Sequence, residues 1–197
     1  MPKIVNHDER KEQLAEAAWR VIRRDGLEGA SVRSIADEAG MSLGSLRHYF
    51  MTQAELLQFS MRLVSERVRA RIEHKVYSGD PYRDIAAIIG ELVPLDEERL
   101  AECEVWLAFV GSSVADPALR ELGQEVHNEL YRGFRQIVDS LIRLGLARPG
   151  IDASLETMRL HALVDGLVVH GVTRQGTMTR EHIQQIIAYH MDELSGN

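Results

Sequence analysis

A chain of 197 residues has room for one domain, or for two small ones that share a core. Hydrophobic residues make up 45% and charged residues 27%, the balance of an ordinary globular protein, and the single cysteine, Cys103, excludes an intrachain disulfide. No run approaches the roughly 20 apolar residues that span a bilayer. The opening MPKIVNHDERK lacks the apolar core of a signal peptide, so a cytoplasmic protein without a membrane partner is expected. The net charge of −7 is unevenly spread: residues 1–75 carry 13 Lys and Arg against 11 Asp and Glu, and the remainder carries 10 against 19. A mildly basic head on an acidic body would orient the molecule toward a polyanion, although a surplus of two charges limits the attraction.

Residues 1–7 read as a short loose arm carrying Lys3 and His7. A first helix is expected from about Asp8 to Asp25. Leu14, Ala17, Ala18, Val21 and Ile22 form its buried stripe, Arg23 and Arg24 favour its C-terminus, and Gly26 stops it. Trp19 lies off the centre of the stripe and reads as packing at the domain edge. The next stretch, SVRSIADEAGMSLGSLRHYF over residues 31–50, holds two short helices. Val32, Ile35, Ala36 and Ala39 share one helical face, with Ser31 where an N-cap belongs and Gly40 where a left-handed terminator belongs. Ser42 offers a second cap after a two-residue break. The helix it starts, seven or eight residues long, turns Leu46 and Phe50 inward and leaves Ser45, Arg47, His48 and Tyr49 on the other side.

Two short helices around a tight glycine turn make a helix-turn-helix. A second helix with a free polar face is what reading base edges in the major groove of double-stranded DNA requires. The same periodicity also fits an αα-corner inside a helical bundle. Taken singly, Ser31 can offer its hydroxyl or a helix-start N–H to a phosphate, and Ser42 stands at the start of the second helix. Arg33 points outward and could reach a guanine. Ser45, Arg47 and His48 occupy the open face, and Gly44 lets the backbone approach the groove. Tyr49 and Thr52 suit phosphate oxygens. Against each stands the alternative of a solvated surface residue. That alternative is weakest for Arg33 and Arg47, because a bidentate Arg–guanine contact is worth about 1–3 kcal/mol.

Several pieces between Leu14 and Leu57 also resemble, in kind and spacing, the N-terminal domain of the TetR (tetracycline-repressor) family of bacterial regulators. They are Ala17-Ala18 leading to Asp25-Gly26, Ser31 to Ala36, Ala39-Gly40, Leu46, Tyr49-Phe50 and Glu55-Leu56-Leu57. The resemblance implies a homodimeric repressor that binds a palindromic operator and is released by a small-molecule effector, with no cofactor. Two positions depart from the family's habit. An aromatic usually stands where this chain has Arg47, and a lysine where it has Gln53. The first change adds a charged base reader and the second removes a phosphate anchor.

A fourth helix is expected from about Thr52 to Val76. Its stripe is Leu56, Leu57, Phe59, Ser60, Leu63, Val64, Val68 and Ile72, and Thr52 with Glu55 forms a capping box. About 25 residues at ~1.5 Å each give ~37 Å, enough to leave a small domain and enter another. Tyr77-Ser-Gly-Asp-Pro81 breaks the chain. Helices are then expected over 82–93 (ended by Pro94), 96–114 (ended by Asp116-Pro117), 118–144, 152–172 and 179–194. The expected fold is all-α with about nine helices. A three-helix helix-turn-helix DNA-binding domain occupies residues 1–52, and a larger helical bundle for ligand binding and dimerisation occupies 53–197. Leu95 to Arg99, Glu104 to Phe109 and the long helix from Pro117 resemble the C-terminal domain of the family's choline-responsive betaine-pathway repressors. Effector domains vary within the family, so choline is not carried over and the effector is left unidentified.

In this second part, Trp106, Phe109 and Ser113 fall on one helical face, and His127, Tyr131, Phe134 and Val138 on another. Two such faces could line an apolar ligand cavity with a few polar groups, or simply fill the core. His161 and Asp165, four apart on one face with His170 opposite, add polar groups to that candidate site. With His127 they also support a rival reading, an all-α metal-dependent enzyme, though no third ligand follows at a telling distance. A buried, mutually hydrogen-bonded pair, or a polar spot in a dimer interface, accounts for them better than a metal site does. Cys103 lies between Glu102 and Glu104 with no base adjacent in sequence, the wrong setting for a nucleophile. A third reading, a helical adaptor that binds only protein, would lack salt-sensitive affinity for DNA. The last two helices carry Leu155, Met158, Ala162, Leu163, Gly166, Leu167, Val169 and His170, then Ile183, Ile186, Ile187, His190 and Met191. Small residues at 162 and 166 allow close approach, so these faces either pack within one chain or form a two-fold four-helix interface between two.

Overall fold

The computed structural model describes residues 7–195, with backbone only at Ala118, and all regular structure within them is helical. In order these are α1 (His7–Gly29), α2 (Val32–Glu38), α3 (Leu43–Arg47), α4 (Gln53–Glu73), α5 (Pro81–Ile89), α6 (Glu97–Ser113), α7 (Pro117–Arg143), α8 (Ala153–Thr173) and α9 (Arg180–Ser195). They fall into two compact units. One holds the described residues up to Arg67 together with Glu104–Gly123; the other holds Val68–Cys103 and Gln124 onward. Helix α4 therefore contributes residues to both. Among the described residues no helix is long and apolar enough to cross a membrane.

In the first unit the apolar stripe of α1 is buried as its spacing demands, and Ala15 and Trp19 are buried with it. Trp19 fastens α1 to α4. Its indole N–H donates to the Ser60 carbonyl at 3.1 Å, the Arg67 guanidinium lies over the ring at 4.9 Å, and Arg67 pairs with Glu16 at 2.5 Å. Arg23 of α1 pairs with Glu104 of α6. Gly26, at φ 75°, breaks the helical run after Asp25, and a short turn carries α1 on to Gly29. His7 is the first residue of α1 rather than part of a loose arm; Lys3 lies outside the described residues.

In the second unit two helices end earlier than their patterns suggest. Helix α4 stops at Glu73, not Val76. The connection to α5 is organised by Asp84, whose carboxylate accepts from the Ser78 and Gly79 N–H groups at 2.7 and 3.0 Å. Helix α5 stops at Ile89, not residue 93. Pro94 has no N–H for the Gly90 carbonyl and disfavours helical geometry at the residue before it. Arg99 donates to that carbonyl instead, at 3.1 Å. Pro94 is itself buried, and a Cβ on Gly171 of α8 would stand 2.5 Å from its Cγ. That close approach requires the glycine. Leu160, Val164, Leu167 and Val168 of α8 and Ile183, Ile187, Met191 and Leu194 of α9 complete this core. The outer side of α8 is apolar too: Leu155, Met158, Ala162 and Val169 are exposed, so burial within one chain does not account for them.

The same unit holds a buried ionic network. Glu91 and Glu102 are 5% and 3% exposed. Glu91 accepts from Arg71 Nε at 3.0 Å and Lys75 Nζ at 2.6 Å, with Arg99 at 3.3 Å. Glu102 takes both terminal nitrogens of Arg71, at 2.9 and 2.6 Å. Burial pushes the Glu91 carboxyl up, but the hydrogen bonds from Lys75 and Arg71 and the Arg99 charge outweigh it and hold it below the usual carboxylate range. Carboxylates this deep are tolerable only when paired.

Candidate nucleic-acid interface

The helix-turn-helix is built by its caps. Ser31, in extended geometry, accepts the Ser34 N–H on its hydroxyl at 3.1 Å and opens α2, whose Ile35 and Ala36 are buried. Gly40 takes φ 64°, and the Met41 N–H turns back onto the Ala36 carbonyl at 2.9 Å, closing the helix end. Ser42 repeats the device, accepting the Ser45 N–H at 3.1 Å. Helix α3 spans five residues rather than seven or eight. The His48 and Tyr49 N–H groups bond three residues back, to Ser45 and Leu46, and this tightening ends it. Leu46 at 0% and Phe50 at 4% exposure pin the inner side, with Phe50 against Phe59 at 5.3 Å.

What remains outside is polar. Gly44, Ser45, Arg47 and His48 are exposed, as are Ser31, Arg33, Ser42 and Thr52. Among the described residues neither Arg33 nor Arg47 has a hydrogen-bond or ion-pair partner, so both guanidiniums are uncommitted. The serines are less free. The Ser31 hydroxyl meets that of Ser34 at 3.0 Å, and those of Ser42 and Ser45 meet at 2.9 Å. Tyr49 is half-buried with its ring against His7 at 4.7 Å. Thr52 caps α4, accepting the Glu55 N–H at 3.1 Å, while the Glu55 carboxylate accepts from the Met51 N–H at 2.9 Å.

Two ties hold this surface still. Glu38 of α2 accepts from Arg20 at 2.7 Å and Arg24 at 2.9 Å, both on α1; these hydrogen bonds hold its carboxyl below the ordinary range. Gln53, at the start of α4, donates to the Ala30 carbonyl at 2.8 Å, just ahead of the α2 cap. No local spacing announces this second contact, because its partners are 23 residues apart.

In the other unit His127, Phe134, His161 and Asp165 come together. The two imidazoles stack at 4.7 Å and 25°, and Phe134 lies 5.1 Å from His161. Asp165 Oδ2 stands 3.7 Å from His161 Nε2, too far for the mutual hydrogen bond the spacing suggests. Burial pushes His161 down, with His127 adding and Asp165 opposing; burial likewise pushes Asp165 up against the pull of both imidazoles. Both groups thus lean toward their neutral forms. Tyr131 is half-buried nearby in sequence and Phe134 is a core residue at 1% exposure. Trp106, Phe109 and Ser113 belong to the first unit, where Phe109 is 3% exposed and the Ser113 hydroxyl donates to Val110 of its own helix at 2.9 Å. Among the described residues no group of three or more His, Cys, Asp or Glu side chains is placed to hold a metal ion.

A capped helix-turn-helix, pinned by two apolar side chains and open on its polar side, ahead of a helical bundle, defines a DNA-binding regulator. The chain belongs to the TetR family: residues 14–58 match the model for bacterial regulatory proteins of that family, and residues 81–196 match the BetI-type transcriptional repressor C-terminal domain. It is 40% identical over 195 residues to the HTH-type transcriptional regulator PksA of Bacillus subtilis (strain 168), covering 98% of this chain and 94% of that protein. It is 28% identical over 197 residues to the HTH-type transcriptional regulator BetI of Escherichia coli (strain K12), covering 94% and 97%. A solved transcriptional regulator from Rhodococcus sp. Rha1 superposes with a TM-score of 0.81 at 31% identity, covering 93% of this chain and 95% of that one. A regulator from Saccharomonospora viridis, solved in complex with choline, gives 0.80 at 23% identity over 94% and 96%, a likeness of fold alone. TetR-family regulators bind DNA and small-molecule effectors, usually as homodimers. The chain is a ligand-responsive transcriptional repressor, and neither its family nor its relatives support the metal-dependent enzyme.

Proposed function

We propose that this repressor acts in the cytoplasm as a homodimer on a palindromic operator, with residues 1–52 as the DNA-binding domain and 53–197 for effector binding and dimerisation. The observation that carries this reading is the uncovered face of α3, where Ser45, Arg47 and His48 are all exposed while Leu46 and Phe50 anchor the helix from behind. Arg47 and Arg33 read bases; Ser31, Ser42, Tyr49 and Thr52 meet phosphates, and Gly44 allows the close approach. The homodimer pairs α8 and α9 with their copies. Its support is the outward apolar set of Leu155 and Met158, 63% and 52% exposed, with Ala162 and Val169 beside them and Tyr189 of α9 at 68%.

The effector meets the cluster of His127, Tyr131, Phe134, His161 and Asp165, and acts by favouring the state that does not hold the operator, a coupling of about 1–3 kcal/mol. Helix α4 carries the response, because its residues belong to both units. The test is a gel shift with DNA from upstream of the protein's own gene. Wild type should retard the fragment and Arg47→Ala should need about 5- to 150-fold more protein, in line with a loss of about 1–3 kcal/mol. Equal retardation by both proteins refutes the assignment of α3.

A further inference from the structure

The second unit contains a cavity of about 340 Å³ that none of the assignments above uses. Ala86 and Ala87 of α5, Leu95, and Ile187 and Ala188 of α9 give it apolar walls, Gln184 adds a neutral polar group, and its charged lining residues are Lys75 and Arg99. No acidic residue lines it. The volume lies within the range of small-molecule sites, and apolar walls with a few placed polar groups are their usual composition.

The two cations differ in what they have left to give. Arg99 is committed to Asp96, to the Gly90 carbonyl and to Glu91. Lys75 gives one hydrogen bond, to Glu91 at 2.6 Å, and an ammonium carries three donors. Their carboxylate partners, Glu91 (5% exposed and shared with Arg71) and, for Arg99, Asp96 as well, do not line the cavity. An anion entering would therefore meet the spare N–H donors of Lys75, with Ala86, Ala87, Leu95 and Ile187 against its apolar part.

We infer that this cavity binds a small organic anion, a carboxylate on a short apolar body, with Lys75 as its hydrogen-bond donor. The site is separate from the His127, His161 and Asp165 cluster. Through Glu91 it shares a counterion with Arg71 in the last turn of α4.

Isothermal titration of the full-length protein tests this with three probes of one shape: 3-phenylpropionate, 3-phenylpropanol and 3-phenylpropylamine. The carboxylate should bind saturably, the alcohol at least tenfold more weakly, and the amine not at all. Lys75→Gln should weaken carboxylate binding at least tenfold, and His127→Ala should leave it unchanged. Ala188→Trp, on the exposed side of the cavity, should block it without disturbing the core, with circular dichroism as the check on folding. Carboxylate binding that is absent, matched by the alcohol, or indifferent to Lys75→Gln overturns the site. Loss on His127→Ala with retention in Ala188→Trp overturns it by moving the anion to the other cluster. No DNA is present in this experiment, so its outcome is independent of the operator reading.

Discussion

His190 offers a sharp test of the packing between α8 and α9. It is 4% exposed, and its Nε2 has no hydrogen-bond partner among the described residues. Glu156 Oε1 stands 3.9 Å away, out of hydrogen-bond reach, and is already held by Arg159 Nε at 2.6 Å. Burial pushes the imidazole down to about 4, with the Arg159 charge adding to the effect and Glu156 opposing it. In an unfolded chain the ring titrates near ~6.5. Folding therefore favours the neutral ring. The stability this confers is whole above about pH 6.5 and is lost as pH falls through the interval toward 4. The full loss is roughly 3 kcal/mol, and about 2 kcal/mol is gone by pH 5. His190→Leu removes the titration and the unpartnered nitrogen together. Urea unfolding followed by circular dichroism from pH 7 to pH 5, at fixed protein concentration because assembly is linked to stability, should show wild type losing about 2 kcal/mol more than the variant. His161, also lowered by burial, titrates in both proteins and cancels from the difference. Parallel pH profiles would refute the reasoning.

Gly40→Ala forces a side chain into φ 64° with nothing within 4 Å of the new Cβ, so the cost is in the backbone alone. It should be about 1–2 kcal/mol in thermal unfolding, and an unchanged midpoint would contradict the left-handed turn. Met158→Glu places a charge on the outward face of α8. Light scattering should report a monomer while the far-ultraviolet spectrum stays native, and a dimer that survives would show that α8 is not in the interface. Gln53→Lys exchanges the tie to Ala30 for a cation at the start of α4. The slope of log affinity against log salt should steepen by ~0.9 if that cation meets a phosphate of the duplex, and an unchanged slope would place the α4 start away from the backbone.

The parts of this molecule legible in the sequence are those that local chemistry determines. Ser31, Gly40 and Ser42 announced caps and a turn because their partners lie within a few residues, and the structure places Ser34, Ala36 and Ser45 on the other ends of those bonds. The pattern overstates the length of α5 although its terminator is visible, since the influence of Pro94 reaches back to the carbonyl four residues earlier. Contacts between distant segments left no periodic trace. Arg71 meets Glu91 and Glu102 across 20 and 31 residues, and Gln53 meets Ala30 across 23. Helix α8 misleads for a different reason. It is apolar on more than one side, so spacing alone does not say which side, that of Leu160 and Val164 or that of Leu155 and Met158, faces its own chain.

The grip on the tail of α4 has a mechanical consequence. Glu91 and Glu102 hold the two edges of one flat guanidinium, and a helix advances about 100° per residue. A rotation of α4 by a single position would carry Arg71 out from between them and leave Glu102 buried without its guanidinium, while Glu91 keeps Arg99, at a cost of several kcal/mol. Within its unit the tail thus behaves as a detent and not as a spring. Small twists are resisted until this set of charges lets go, and the response proposed above would then pass along the helix as a step.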